Sequence, residues 1–476
     1  MAIIIEQKPL YNILPIGQQV IFAVSDDTIV ANKFKVKFIA QVFVSGLAIS
    51  LTSDTPIGTF KTTPNNKGVG IFDLRPILET FVKPDNEGST FGNGSRYKQS
   101  HTIPVAQAVT HPMHLIDKFA VSENAIRFFA INFFVEYSDS ETGDVIDFTT
   151  LDPEPTEQYI MFNGVLQYDD VLTLDKGEYG YNLGSAPDPV QYFFPNVGTN
   201  TFLSNAPRTQ NARLTDYGTL PFFNFLPSSS DKVTEIAFIF LDIDGVPIGS
   251  QTITQSWTLG GSTNGDLTRV NSRLMYVGAF PANLRNWSST FQSLVTAGTL
   301  ASYQVIMGST AGSLAAYTIN IICPNERGYE GIRLTWLNQW GVWDYYTFNM
   351  KSTRSIATKR IPYTQLGGTW NDSTFKISGY KGGKKNFRVN STEKIKLNTD
   401  FVSEAEGVWF EELINSPEVY IVNGFSADAV NTITNKYIDP VTVTTSSYVK
   451  KTIANDKLMQ YSIEIEKSKM KRTQAV

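Results

Sequence analysis

Residues Arg333–Phe348 read Arg-Leu-Thr-Trp-Leu-Asn-Gln-Trp-Gly-Val-Trp-Asp-Tyr-Tyr-Thr-Phe, three Trp and two Tyr set in two extended runs around an Asn-Gln-Trp-Gly corner. Aromatic and β-branched side chains at this density fit a pleated surface, where residues opposite one another on paired strands interact. The run therefore predicts a β-hairpin bearing an aromatic ladder. Trp336, Trp340, Trp343 and Tyr345 have three uses: packing a sheet face, anchoring another protein, or forming a platform for a sugar ring. No acid, base or metal ligand around them is arranged for chemistry.

Strand signals continue along the chain. Val20–Val24, Lys33–Ser45 and Ala48–Thr52 are β-rich and bounded by polar corners. Ile126–Tyr137 and Asp144–Thr149 flank a polar loop over 138–143, while Asp244-Gly245 and Asn163-Gly164 are two-residue hairpin signals joining Glu235–Ile243 to Val246–Thr254 and Met161-Phe162 to Val165–Tyr168. Charged residues make up 18% of the chain, below the roughly 25% of an average soluble protein. Asn, Thr, Ser and Gly supply the remaining polarity. The expected class is mainly β and multi-domain: antiparallel β-sandwiches of immunoglobulin or fibronectin type with a few short helices. The division read from composition is 1–150, a linker with a hairpin over 151–200, a second sandwich over 201–350, and a β-rich domain over 351–476.

Helices are predicted at three places. Ser403-Glu404-Ala405-Glu406 is a capping box opening Glu404–Ile414, which Asn415-Ser416-Pro417 stops. A short helix follows Asp73 over Leu74–Val82, with Pro76 tolerated in its first turn. A third covers Arg285–Thr296 and ends at Gly298. Leu151–Glu157 reads as a stiff acidic linker, and Gly177–Pro195 as a second connector. Met1–Pro15, Glu87–Ser100 and the basic tail Lys467–Val476 are candidate arms that order against neighbours.

The candidates for chemistry are few. His101, His111 and His114 share one stretch, and His111/His114/Asp117 has only a partial metal-ligand pattern, interrupted by Pro112. Asp242-Ile243-Asp244-Gly245 resembles the start of a calcium loop, but the twelfth position is Ile253, where a Glu is required. The lone Cys323 allows no intramolecular disulfide and reads as a small residue ending the strand Tyr317–Cys323. Glu154, Glu157, Asp169 and Asp170 read as solvated loop acids. Phosphate-binding loops, nucleophile elbows and Cys-x-x-Cys pairs do not occur. The expectation is a protein without catalytic residues, cofactor or metal.

Charge is uneven within the net −5: residues 351–476 carry about +6 and the preceding 350 about −11. Opposite potentials of this kind steer head-to-tail association. Tyr380-Lys381-Gly382-Gly383-Lys384-Lys385-Asn386-Phe387-Arg388 is a basic loop flanked by aromatics, read as a hairpin tip between Phe375–Gly379 and Asn386–Leu397. Tyr380, Lys381, Lys384, Lys385 and Arg388 join Trp336, Trp340, Trp343 and Tyr345 as candidate interface residues. A solvated tip, a subunit contact and a nucleic-acid contact, through phosphates or stacked bases, remain open for this loop. The N-terminus lacks a basic leader region and no apolar run reaches the ~20 residues of a bilayer span, so membrane insertion and export by that route are not expected.

Several blocks together resemble virion tail-module proteins of tailed bacteriophages that infect Bacteroidetes, including crAss-like phages. They are Gly68–Leu74 with Ile77-Leu78-Glu79, Phe202–Arg208 with Asp216–Leu220, Trp336-Leu337-Asn338 with Gly341–Asp344, and Asn398–Val422 with its capped helix. Their order extends from about residue 10 to 466. The resemblance implies a structural role: a homo-oligomeric ring or barrel subunit in the tail or neck, assembled in the host cytoplasm and stacked between portal-side and fibre-side virion proteins. No catalytic residue comes with it, and nucleic acid enters only as the genome passing through the ring. Two other classes stay open: a receptor- or carbohydrate-binding baseplate protein or adhesin using exposed Trp and Tyr, and a particle-borne glycoside hydrolase whose carboxylate pair meets only in space.

Overall fold

The computed structural model describes residues 3–9, 13–85, 118–122, 124–165, 202–223, 233–254, 270–309, 312–313, 316–322, 328–370, 373–423, 438–449 and 459–473. The fold is mainly β, with several antiparallel sheets and a few short helices. The chain forms two compact units, one of 1–323 with 337–344 and 425–434, the other of 324–336, 345–424 and 435–476. The sequence boundaries at 150 and 200 thus fall inside the first unit, and that at 350 inside the second.

The first unit holds strands β1 (Ile4–Gln7), β2 (Ile13–Pro15), β3 (Ile21–Ser25), β4 (Phe34–Ser45), β5 (Gly58–Thr62), β6 (Val69–Asp73), β7 (Phe119–Val121), β8 (Ile126–Ser138), β9 (Glu154–Pro155), β10 (Tyr159–Phe162), β11 (Thr209–Arg213), β12 (Thr219–Phe223), β13 (Val233–Leu241), β14 (Pro247–Thr254), β15 (Leu274–Gly278), β16 (Ser302–Ser309), β17 (Gly312–Ser313) and β18 (Tyr317–Ile322). A three-stranded sheet β1-β3-β6 faces a larger one ordered β2-β10-β8-β4-β5, with β9 beside β8. Phe22 of the first layer meets Phe133 and Tyr159 of the second, with ring centroids 5.7 and 5.8 Å apart. Alternate residues of β8, Phe129, Ile131, Phe133 and Val135, fill this core. The intervening Phe128, Ala130 and Phe134 are buried as well, so the strand is covered on both faces. In the sheet β11-β18-β16-β13-β14, Phe238 and Phe240 pack against Trp287 and Phe291 of two short helices, Pro281–Trp287 and Ser289–Ala297. β12, β15 and β7 form a further small sheet. Most pairings are antiparallel, but β2/β10 and β11/β18 are parallel.

The second unit is built on one seven-stranded sheet. Its strands are β19 (Ile332–Leu337), β20 (Trp343–Phe348), β21 (Thr353–Gln365), β22 (Gly383–Asn398), β23 (Val419–Val422), β24 (Ile438–Val443) and β25 (Ser462–Lys467), ordered β20-β19-β23-β24-β25-β22-β21.

Among the described residues the helices are α1 (Asp27–Asn32), α2 (Arg75–Leu78), α3 (Pro281–Trp287), α4 (Ser289–Ala297) and α5 (Glu404–Asn415). α5 forms where the capping box places it. The Ser403 hydroxyl accepts from Glu406 N at 3.2 Å, and the Glu406 carboxylate accepts from Ser403 N at 2.8 Å. Trp409 and Phe410 then lie against Trp336 and Tyr346, each pair of centroids 4.8 Å apart. The helix after Asp73 is α2 followed by a 3-10 turn over Glu79–Phe81. The single helix expected over Arg285–Thr296 is two. Ser288 breaks it in extended conformation and caps α4, its hydroxyl accepting from Phe291 N, because Ser competes well as an N-cap.

Three corners share one device. In Asn65–Val69, Asp242–Val246 and Asn338–Val342 the first residue's N–H donates to the Val carbonyl at 2.9, 3.0 and 2.8 Å. Its side-chain oxygen accepts from the third and fifth residues' N–H groups. The fourth residue is Gly in each, at φ +80, +77 and +71°. Asp244-Gly245 is thus not a two-residue turn. It is part of a three-residue loop closed by a left-handed Gly. The calcium-like Asp242 spends its carboxylate on this turn.

Other expectations are corrected. Ala48–Thr52 is a loop, since Ser50 N donates to the Asp54 carboxylate and Ile49 N to the Gln158 side chain, satisfying the backbone without a ladder. Asp144–Thr149 is no strand: β8 takes β4 and β10 as partners, and Asp147 caps a 3-10 turn over Phe148–Thr150. Neither Asn163 nor Gly164 takes the positive φ of a tight hairpin, and residues 166–168 lie outside the described residues. The acidic linker is docked, with Thr156 exchanging backbone and side-chain hydrogen bonds with Ile131. The N-terminal segment is built in as β1 and β2. Gly177–Pro195 and Glu87–Ser100 lie outside the described residues.

Candidate interaction surface

The aromatic hairpin is interior. Trp336 and Trp343 are fully buried and Tyr345 nearly so, while Trp340 is half-buried. Trp343 Nε1 donates to the Asp85 carbonyl at 3.1 Å. The Asp85 carboxylate, buried, accepts from Ser122 Oγ and Tyr276 OH at 2.8 Å each and from Asn124 N at 2.7 Å. In the second unit the Arg333 guanidinium lies 5.3 Å from the Tyr345 ring centre and donates to Thr347 Oγ1 at 2.9 Å. Of this cluster, only Trp340 reaches the surface among the proposed interface residues. The others pack the core.

The exposed surface lies on β21 and β22. They pair from Thr353↔Lys396 to Gln365↔Gly383, with one bulge that leaves Phe387 unpaired. β22 meets β25 only over Lys394–Asn398, so residues 354–393 form a two-stranded arm that pairs beyond itself only where Ser391 meets Lys471. Every residue of β21 before Gln365 is exposed. The strand paired with the basic loop is therefore 353–365; Phe375–Gly379 lies in the arm's apex instead. The apex joins Gln365 to Gly383. Within it, Thr369 N donates to the Lys376 carbonyl and Lys381 N to that of Ser378. Gly382 and Gly383 at φ +91 and +78° turn the chain back.

Large apolar side chains stand in solvent along this arm. Ile377 is 84% exposed, Tyr380 75% and Trp370 66%, with Ile356, Ile361, Leu366, Phe375 and Phe387 also exposed. Full burial of such a side chain is worth about 1.5–3 kcal/mol. Residues 351–388 carry nine Lys and Arg against the single Asp372. Among the described residues Lys359, Lys376, Lys381 and Lys384 make no ion pair, and Lys385 donates to the Tyr380 carbonyl. Arg388 sits opposite Ile361. All five basic-loop residues predicted from sequence thus fall on one arm, with its apex at Tyr380–Gly383.

The base of the arm is fixed. Glu393 is buried, and Lys471 Nζ donates to its carboxylate at 2.6 Å while Arg354 lies 3.9 Å away. The hydrogen bond from Lys471 holds the Glu393 carboxyl below its ordinary range. Ser391 and Lys471 exchange backbone hydrogen bonds at 3.1 and 2.9 Å. The tail expected to be a free arm is thus bound as far as Lys471, and Lys467 belongs to β25.

Among the described residues no three His, Cys, Asp or Glu side chains are grouped to hold a metal, and no helix is long and apolar enough to cross a membrane. His101, His111, His114, Asp117, Asp169, Asp170 and Cys323 lie outside the described residues. Compared with known proteins, the chain matches no family model and no curated protein sequence.

Proposed function

We propose that the chain is a structural subunit of a bacteriophage tail or neck, self-assembling into a ring that stacks on other virion proteins. The observation that carries this reading is the arm over 354–393, with its exposed apolar and basic side chains. A two-stranded ribbon alone in water is marginal, and three or more strands or a packed partner are needed for independent stability. A neighbouring subunit supplies that partner. Heterologous contacts, repeated by rotation, close into a ring. The rigid sandwich and the clamped arm base suit a scaffold that holds its contact element in one place.

Sedimentation of the purified chain over a concentration series, with electron microscopy of the largest species, tests this. Closed rings of one size are expected. A chain that stays monomeric at high concentration, in a fully folded state, rejects self-assembly. Exposed Trp370 and Tyr380 favour one second reading, a receptor- or glycan-binding module; monomers that bind a polysaccharide through these rings would establish it.

A further inference from the structure

We propose that the arm of one copy docks on the acidic segment Glu136–Glu157 of the next copy. The inference rests on the self-assembly proposed above and names its contact. That segment holds eight Asp and Glu and no Lys, Arg or His. Four of its acids are occupied: Glu136 by Lys61 and Lys37, Asp139 by Lys33, Glu157 by Lys8, and Asp147 by Thr149 N. Glu141, Asp144 and Asp152 are exposed and make no ion pair among the described residues. Val145 stands exposed between them.

The arm is the complement of this surface. Its unpaired Lys381 and Lys384, with Lys385 beside them, flank exposed Tyr380 and Ile377 at the apex. Each surface is exposed within its own unit. The exposed apolar side chains give a docked apex a centre to bury, and the charges set orientation and encounter rate. Because the two surfaces differ, each copy offers one arm and one receiving segment, the head-to-tail condition for a ring.

Charge reversal tests the contact. Lys381→Glu, Lys384→Glu and Lys385→Glu together should weaken self-association by about tenfold or more at low salt, with circular dichroism unchanged. Adding Glu141→Lys, Asp144→Lys and Asp152→Lys to the same chain should restore it. Replacing 367–382 by a short Gly-Ser turn, which spares the β21/β22 ladder, should leave a folded monomer. Rings that persist in the reversed or shortened chain overturn the docking while self-assembly stands. A combined variant that fails to recover, although folded, overturns the choice of the acidic segment. A monomeric wild type overturns both proposals, and association that appears only with DNA overturns the second copy as occupant.

Discussion

At the level of single residues, buried polar groups decide more than exposed ones. Trp336 and Trp343 were equivalent in the sequence, yet only Trp343 uses its indole N–H, on the Asp85 carbonyl. Among the described residues the Trp336 N–H has no acceptor, and the side chain contributes its ring alone, against Trp409. Glu393 is the residue whose charge the arm depends on. Its carboxyl titrates below the ordinary range in the folded chain because Lys471 donates to it. Its contribution is therefore complete above the ordinary carboxylate range and fades as pH falls through the depressed value. Glu393→Gln should lower stability by about 1 kcal/mol near pH 7, a modest figure because Lys471 stays solvated. Urea midpoints of the two proteins should converge as pH is lowered below about 4. A gap that stays constant with pH would mean that the charge is immaterial.

At the level of elements, the corners show what local sequence can specify. Asn65, Asp242 and Asn338 each head an Asn/Asp-x-x-Gly-Val run, and each folds the same way. The Gly answers to φ in all three, but at Gly341 space matters too: a Cβ there collides with the Asn163 carbonyl, whereas at Gly245 nothing lies within 4 Å. Gly245→Ala should cost about 1–2 kcal/mol, the left-handed strain alone. Gly341→Ala should cost at least twice that, as read from thermal or denaturant unfolding of both variants. Equal effects would refute the steric part.

The capped helix α5, the hairpin of β13 and β14 and the long strands β4 and β8 were legible for the same reason: their signals are contained within about a dozen residues. The arm was legible only in half. Thr353–Gln365 has no alternating apolar face, since neither face is buried, so the periodicity that marks a strand is missing. The single helix expected over 285–296 divides because Ser288 can continue a helix or cap one, and packing of Phe291 against Phe240 and Tyr303 selects the cap. The aromatic hairpin's existence could be read from its composition; its burial could not, because the residues that cover it come from distant segments such as Asp85 and α5.

At the level of the whole molecule, the hairpin corner 337–344 groups with the first unit although 324–336 and 345–424 do not. Within that unit Asn338 Nδ2 donates to the Leu203 carbonyl at 2.8 Å, and Val165 N donates to the Gln339 carbonyl at 2.7 Å. A fragment ending at residue 323 lacks these bonds and the Trp343 ring. It should unfold at lower denaturant than the same unit in the full chain, seen as an earlier transition in near-ultraviolet circular dichroism. An unchanged transition would show the corner to be dispensable.

The same feature sets an order of events during synthesis. A ribosome that has released residues 1–323 has not yet delivered 337–344 or 425–434, which belong to the same unit. The hydrogen bonds of Asn338, Gln339 and Trp343 within that unit form only after these residues clear the exit tunnel. The nascent chain therefore passes through an interval in which the first unit lacks contacts that the finished chain supplies.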